Sequence, residues 1–78
     1  MNDTILGKLE ETILDRRSAD AGSSYVASLF AKGLPKIAQK VGEEATETVI
    51  AALSGDKGEL ISESADLIFH LLVLLSAK

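Results

Sequence analysis

Cysteine and tryptophan are both missing from these 78 residues, and proline occurs once. Without cysteine there is no disulfide framework, no thiolate zinc site and no cysteine nucleophile, and the chain suits a reducing compartment. Aromatic residues are nearly as scarce: Tyr25, Phe30 and Phe69 are the only three. Any core must therefore be aliphatic, which favours packed helices over a sheet. Basic residues are outnumbered, 8 Lys and Arg against 12 Asp and Glu, for a formal net charge of −4, and they are scattered. That leaves no electrostatic footprint for DNA or RNA and no aromatic platform for a single strand. The N-terminal stretch MNDTILGKLEE lacks the basic start and apolar segment of a signal peptide, and the longest apolar run, residues 67–75, contains His70 and is short for a bilayer span. We therefore expect a cytoplasmic protein with neither a membrane nor a nucleic acid as partner.

What is present is helical periodicity. A chain of this length makes one domain, residues 1–78, and buries a modest share of its surface. Asn2 or Asp3 can cap a first helix with Ile5, Leu6, Leu9 and Ile13 on one side, which fades into the polar residues 16–20. After a loop at 21–24, a short helix is predicted over residues 25–31, capped by Ser23 or Ser24 and stopped by Gly33. Pro35 suits the first turn of a third helix, along which Ile37, Ala38, Val41, Ala45, Val49, Ala52 and Leu53 recur at helical spacing. Residues 54–58 read as a turn, and a last helix runs from about Glu59 to the end. The expected fold is all-α, a bundle of about four helices with the last two antiparallel. The last helix is apolar on nearly every side after Asp66. A helix of that kind has to be buried, so a second copy of the chain is expected to complete the core as a homodimer or larger assembly.

Two groups of acids stand out. In KVGEEATE, Glu43, Glu44 and Glu47 share one helical stripe with Lys36 and Lys40, beside the apolar arc. Like charges at this spacing cost a few tenths of a kcal/mol per pair, which suggests a missing cation. Downstream, in ESAD, Glu63 and Asp66 lie one turn apart. If the two helices fold back around the turn at 54–58, Glu47 and Glu63 are about equally far from it, and Glu44, Glu47, Glu63 and Asp66 converge. Four carboxylates without histidine or cysteine are hard oxygen ligands suited to Mg²⁺, with Mn²⁺ as a substitute. Such a cage with lysines beside it points to phosphoryl chemistry on a nucleotide. An isolated acidic stripe is usually a solvated face, but two at matching distance from a turn reverse that balance. Lys40 and Glu44 also fit an ordinary ion pair. His70, one turn beyond Asp66, reads as a satisfied core histidine, and Ser24 and Tyr25 read equally well as a cap and a core aromatic.

The pair Glu43-Glu44-x-x-Glu47 and Glu63-x-x-Asp66 resembles the two metal-binding motifs of the all-α NTP pyrophosphohydrolase superfamily. SSYVASLFAKGLPKIAQKVGEEATETVIAAL and ESADLIFHLLVLL look like the phosphoribosyl-ATP pyrophosphohydrolase branch, over about residues 4 to 75. The resemblance implies Mg²⁺-dependent hydrolysis of phosphoribosyl-ATP between its α and β phosphates, giving phosphoribosyl-AMP and pyrophosphate in the second step of histidine biosynthesis. It also implies roles for individual residues. Glu44, Glu47, Glu63 and Asp66 match the metal ligands, Glu43 matches the adjacent glutamate, and Glu43, Glu44 and Glu47 are the candidate catalytic carboxylates. Lys36 and Lys40 match basic positions and are assigned to substrate phosphate. Family members usually continue into a further helical segment, and many are fused to a zinc-dependent cyclohydrolase; the present residues show neither, so the next pathway step is expected from another chain. Two other functions share some of these features: a house-cleaning pyrophosphatase of simple (d)NTPs, and a non-enzymatic helical dimerisation module with solvated acids.

Overall fold

The computed structural model of the protein describes residues 4–22 and 24–78. They form four helices: α1 (Ile5–Arg16), α2 (Tyr25–Lys32), α3 (Leu34–Ser54) and α4 (Lys57–Ala77). Among the described residues there is no strand, so the all-α expectation holds.

Local signals set most boundaries. Thr4 caps α1, its Oγ1 accepting from the Gly7 N–H at 2.9 Å; the expected caps Asn2 and Asp3 lie outside the described residues. Ser24 caps α2 by accepting from the Ala27 N–H at 3.2 Å, while Ser23, the alternative, also lies outside them. Gly33 ends α2 with φ +93°, a conformation that side chains with a Cβ disfavour. Pro35 then follows in the first turn of α3, where a missing N–H costs nothing. The last helix starts two residues earlier than expected. The Asp56 side chain accepts from the Glu59 N–H at 2.8 Å, which draws Lys57 and Gly58 into the first turn.

α3 and α4 form the principal helix pair, joined by only Gly55 and Asp56. They run antiparallel, since Thr48 meets Glu63 and Glu44 meets Asp66 as the chain positions move in opposite directions. The aliphatic core lies where α1 and α2 cover the end of this pair remote from its turn: Ile13, Val26, Leu29, Ile37 and Val73 are buried together, with Leu9, Phe30, Phe69, Leu72 and Leu74 packed against them.

The apolar arc of α3 is only partly covered, with Val41 and Ala45 half-buried. Of the expected stripe only Ile37 is buried; Ala38, Val49, Ala52 and Leu53 are exposed, Leu53 by 83%. The residues turned into the helix pair are Ile37, Glu44 and Ala51. The acids were expected to border the core; Glu43 and Glu47 do lie outside the packed face, but Glu44 lies within it, and the far side of the apolar arc is left outside. On α1 the division is similar, with Ile13 buried but Ile5 and Leu6 exposed. The outer side of α4 exposes Ile61, Ile68, Leu71 and Leu75.

α4 as a whole is long and apolar enough to cross a membrane by length and composition, whereas the expectation above considered only residues 67–75. In the fold, Glu63, Asp66 and His70 place polar groups along this helix against α3 and α2. The accessible surface is 5166 Å², compared with roughly 4,500 Å² for a monomer of this mass. The radius of gyration, 13.2 Å, likewise exceeds the roughly 11.5 Å of a self-contained domain of this length.

Candidate metal centre and active site

Glu44 sits on the inward face of α3 and is only 7% exposed. One carboxylate oxygen, Oε1, is buried without a hydrogen-bond partner, while Oε2 lies 3.6 Å from Lys40 Nζ. A buried carboxylate oxygen left unpaired costs several kcal/mol unless a cation compensates. Across the helix pair, α4 brings Glu63, half-buried, and Asp66, exposed, so that one oxygen from each of Glu44, Glu63 and Asp66 lies within 4.8 Å of the others. These oxygens form a hard donor set on two rigid helices, with an orphaned oxygen buried among them, and so fit a divalent cation such as Mg²⁺ or Mn²⁺.

Glu47 is exposed beside this group. The charge of Glu44, helped by a hydrogen bond with it and by the charge of Glu63, holds the Glu47 carboxyl above the usual glutamate range. Partial burial, followed by the charges of Glu44 and Asp66, pushes Glu63 up as well. Acids whose pKa values rise because they face one another are in a site short of positive charge.

Glu43 turns the other way. It accepts from Gln39 at 2.7 Å and from Lys40 at 3.2 Å, and these two hydrogen bonds hold its carboxyl below the usual range. Of the three glutamates in KVGEEATE, one is thus inside the carboxylate group, one beside it and one outside. Lys40 is shared between Glu43 and Glu44, and its hydrogen bond to Glu43 raises its own pKa. The ordinary ion pair foreseen for Lys40 and Glu44 therefore exists, and Lys40 is committed to acids in the absence of substrate. Lys36, one turn earlier and half-buried, contributes charge that helps keep Glu43 ionised.

Thr48 and the partners of His70 were not singled out from the sequence. The Thr48 hydroxyl donates to its own-helix carbonyl at Glu44 (2.8 Å) and also reaches the Glu63 carbonyl across the pair (3.3 Å). A threonine one turn after a glutamate is too common to signal this. His70 is a satisfied core histidine, as read, but its partners are specific: Nδ1 is 2.7 Å from the Asp66 carbonyl, and Nε2 is 2.7 Å from the Tyr25 hydroxyl.

Four helices among the described residues, with carboxylates gathered between the two longest, define an all-α protein with an acidic cluster on a helical hairpin. The chain matches the phosphoribosyl-ATP pyrophosphohydrolase family model over residues 6–78. It is 72% identical over 74 residues to the phosphoribosyl-ATP pyrophosphatase of Novosphingobium aromaticivorans, covering 95% of this chain and 69% of that protein. The corresponding protein of Erythrobacter litoralis is 71% identical over 73 residues, covering 94% and 70%. A histidine biosynthesis bifunctional protein of Vibrio vulnificus is 61% identical over 70 residues, which are 90% of this chain but 33% of the larger protein. The chain belongs to the phosphoribosyl-ATP pyrophosphohydrolase family.

Proposed function

We propose that this enzyme hydrolyses phosphoribosyl-ATP to phosphoribosyl-AMP and pyrophosphate, the second step of histidine biosynthesis, using Mg²⁺ held by Glu44, Glu47, Glu63 and Asp66. Family membership supports the hydrolase and its nucleotide substrate. The observation that carries the cation is the buried, unpartnered Oε1 of Glu44 among facing carboxylates.

Hydrolysis adds water across the bond between the α and β phosphates. A new phosphorus–oxygen bond forms, the bridging bond breaks, and the attacking water gives up a proton. Bound Mg²⁺ supplies neutralisation of the phosphate charge and orients or activates that water. The chain's own residues do the rest. A carboxylate among Glu43, Glu44 and Glu47 accepts the proton, and the raised pKa of Glu47 together with its exposure suits it to exchange a proton with solvent. Lys36 and Lys40 hold the phosphates. Lys40 would share Glu44 with a bound cation and so be freer to meet an anionic ligand.

The exposed apolar faces of α3 and α4, together with the surplus surface, support a homodimer in which a second copy covers them. The absence of cysteine and the pathway itself support a cytoplasmic location. The test is to compare hydrolysis of phosphoribosyl-ATP with a panel of NTPs and dNTPs, with and without Mg²⁺. Metal-dependent turnover of phosphoribosyl-ATP in clear preference is expected. Preference for a simple dNTP would assign the chain to nucleotide house-cleaning, and no turnover of any substrate would leave a dimerisation module.

A further inference from the structure

The chain's single histidine and single tyrosine meet, although 45 positions apart. Tyr25, read as a core aromatic, is half exposed, and its hydroxyl reaches inward to satisfy a buried histidine nitrogen that would otherwise need another partner. The arrangement has a direction. A backbone carbonyl can only accept, so His70 Nδ1–H donates to Asp66 O, and in the neutral ring Nε2 then accepts from the Tyr25 hydroxyl. His70 is 6% exposed and has both ring nitrogens engaged.

The contacts around the pair add stiffness. The Tyr25 ring lies against Phe69 with centroids 6.0 Å apart and planes at 26°, and Phe69 meets the His70 ring edge-on at 5.0 Å. Ser24 caps α2 immediately before Tyr25, which fixes where that helix starts. The carbonyl that His70 reaches belongs to Asp66, one of the three clustered carboxylate residues. At the other end of the same stretch, the Thr48 hydroxyl reaches the Glu63 carbonyl. The backbone turn from Glu63 to Asp66 is therefore held at Glu63 by Thr48 of α3, and at Asp66 by His70 of its own helix, which in turn bonds Tyr25 of α2.

We infer that Tyr25 and His70 are a positioning pair for the proposed cation site: they hold the α4 turn that carries Asp66 in register with Glu44 on α3. Neither residue supplies a ligand in this assignment, although Tyr25 lies close enough to Lys40, Glu44 and Asp66 for their charges to act on its hydroxyl. They act through the rotation of α4 and the placement of the Asp66 carboxylate relative to the buried oxygen of Glu44. Mg²⁺ demands near-ideal geometry from its ligands, and residues that orient ligands typically change metal affinity by roughly 10- to 100-fold when removed.

The inference rests on the cation site proposed above, and the experiment separates the two. Mn²⁺ binding to the full chain is measured by calorimetric titration for the unsubstituted protein, Tyr25→Phe, His70→Phe, the double variant, His70→Gln and Ile13→Val. Tyr25→Phe keeps the ring and its stack on Phe69 while removing the hydroxyl. Tyr25→Phe and His70→Phe are each expected to weaken Mn²⁺ binding by about tenfold or more, and the double change by no more than the worse single, because the two residues act as one unit. His70→Gln, whose amide both accepts and donates, should recover part of the loss. Ile13→Val, a core change on α1, should leave affinity unaltered. Activity lost in Tyr25→Phe should return when Mg²⁺ is raised, which damage to the fold would not allow. Mn²⁺ affinity in Tyr25→Phe within twofold of the unsubstituted chain, or losses that multiply in the double variant, would overturn the pairing while the cation site stands. No Mn²⁺ binding by the unsubstituted chain would overturn the site and the pairing together.

Discussion

The hydroxyl of Thr48 on α3 reaches the carbonyl oxygen of Glu63 on α4 at 3.3 Å, while also bonding the Glu44 carbonyl at 2.8 Å. A single side chain thereby ties together the backbone of two acidic residues that come from opposite sides of the hairpin. Thr48→Val keeps the shape and removes the bond. We expect a loss of about 1 kcal/mol in stability, read as a lower denaturant midpoint, together with weaker Mn²⁺ binding. Unchanged Mn²⁺ affinity would show that the tie serves stability only.

Glu44→Gln removes the one buried carboxylate charge of the site while conserving its volume. Without metal, the variant should melt at a higher temperature, because burying an amide costs less than burying an under-compensated charge. Its melting should no longer respond to Mn²⁺, and turnover should fall by about a hundredfold or more, equivalent to roughly 2.7 kcal/mol of transition-state stabilisation. Glu47→Gln and Asp66→Asn should share the loss of turnover with the fold intact. Near-normal activity in any of the three would remove that residue from the cage.

The pH dependence of the metal-free chain follows from the signs of the shifts. Glu47 and Glu63 have folded-state pKa values above the ordinary glutamate value, so the folded chain holds protons that the unfolded chain has released. Their contribution favours folding below the unfolded value, about 4.3, and is lost as pH rises through the higher folded values. Glu43 has the opposite sign: its contribution is present above about 4.3 and fades as pH falls through its lowered value. Melting temperature without metal should therefore rise as pH is lowered from neutrality toward the unfolded glutamate value, about 4.3. Saturating Mn²⁺ should flatten or reverse that trend, because the metal requires ionised carboxylates. A flat profile in both conditions would contradict the mutual repulsion of these acids.

Val49 and Leu53 lie on the exposed arc of α3, 58% and 83% accessible, so Val49→Asp or Leu53→Asp leaves the chain's own core untouched. Light scattering should show the unsubstituted chain as a dimer and both variants shifted toward monomer. Gly42, where an added Cβ would meet nothing within 4 Å, is a second probe. In an isolated helix Gly→Ala should gain about 1 kcal/mol, and a second copy packed on that face would cancel the gain. A monomeric unsubstituted chain would refute the covered face.

Helix identity and most boundaries were legible because they are local. Ser24, Gly33 and Pro35 each act within a turn of where they stand, and a short turn between two long periodic segments leaves little choice but an antiparallel hairpin. The convergence of Glu44, Glu63 and Asp66 was legible for the same reason, since equal distance from the turn places residues side by side. What only the folded arrangement decided is which arc of α3 meets α4. Periodicity says which residues share a face, but not which neighbour that face is given to. Of the apolar arc read as core, Ala38, Val49, Ala52 and Leu53 are turned outward, while Glu44 of the acidic stripe is turned in beside Ile37 and Ala51. The meeting of Tyr25 with His70 was equally out of reach, because it depends on where α2 is laid against the far end of the hairpin.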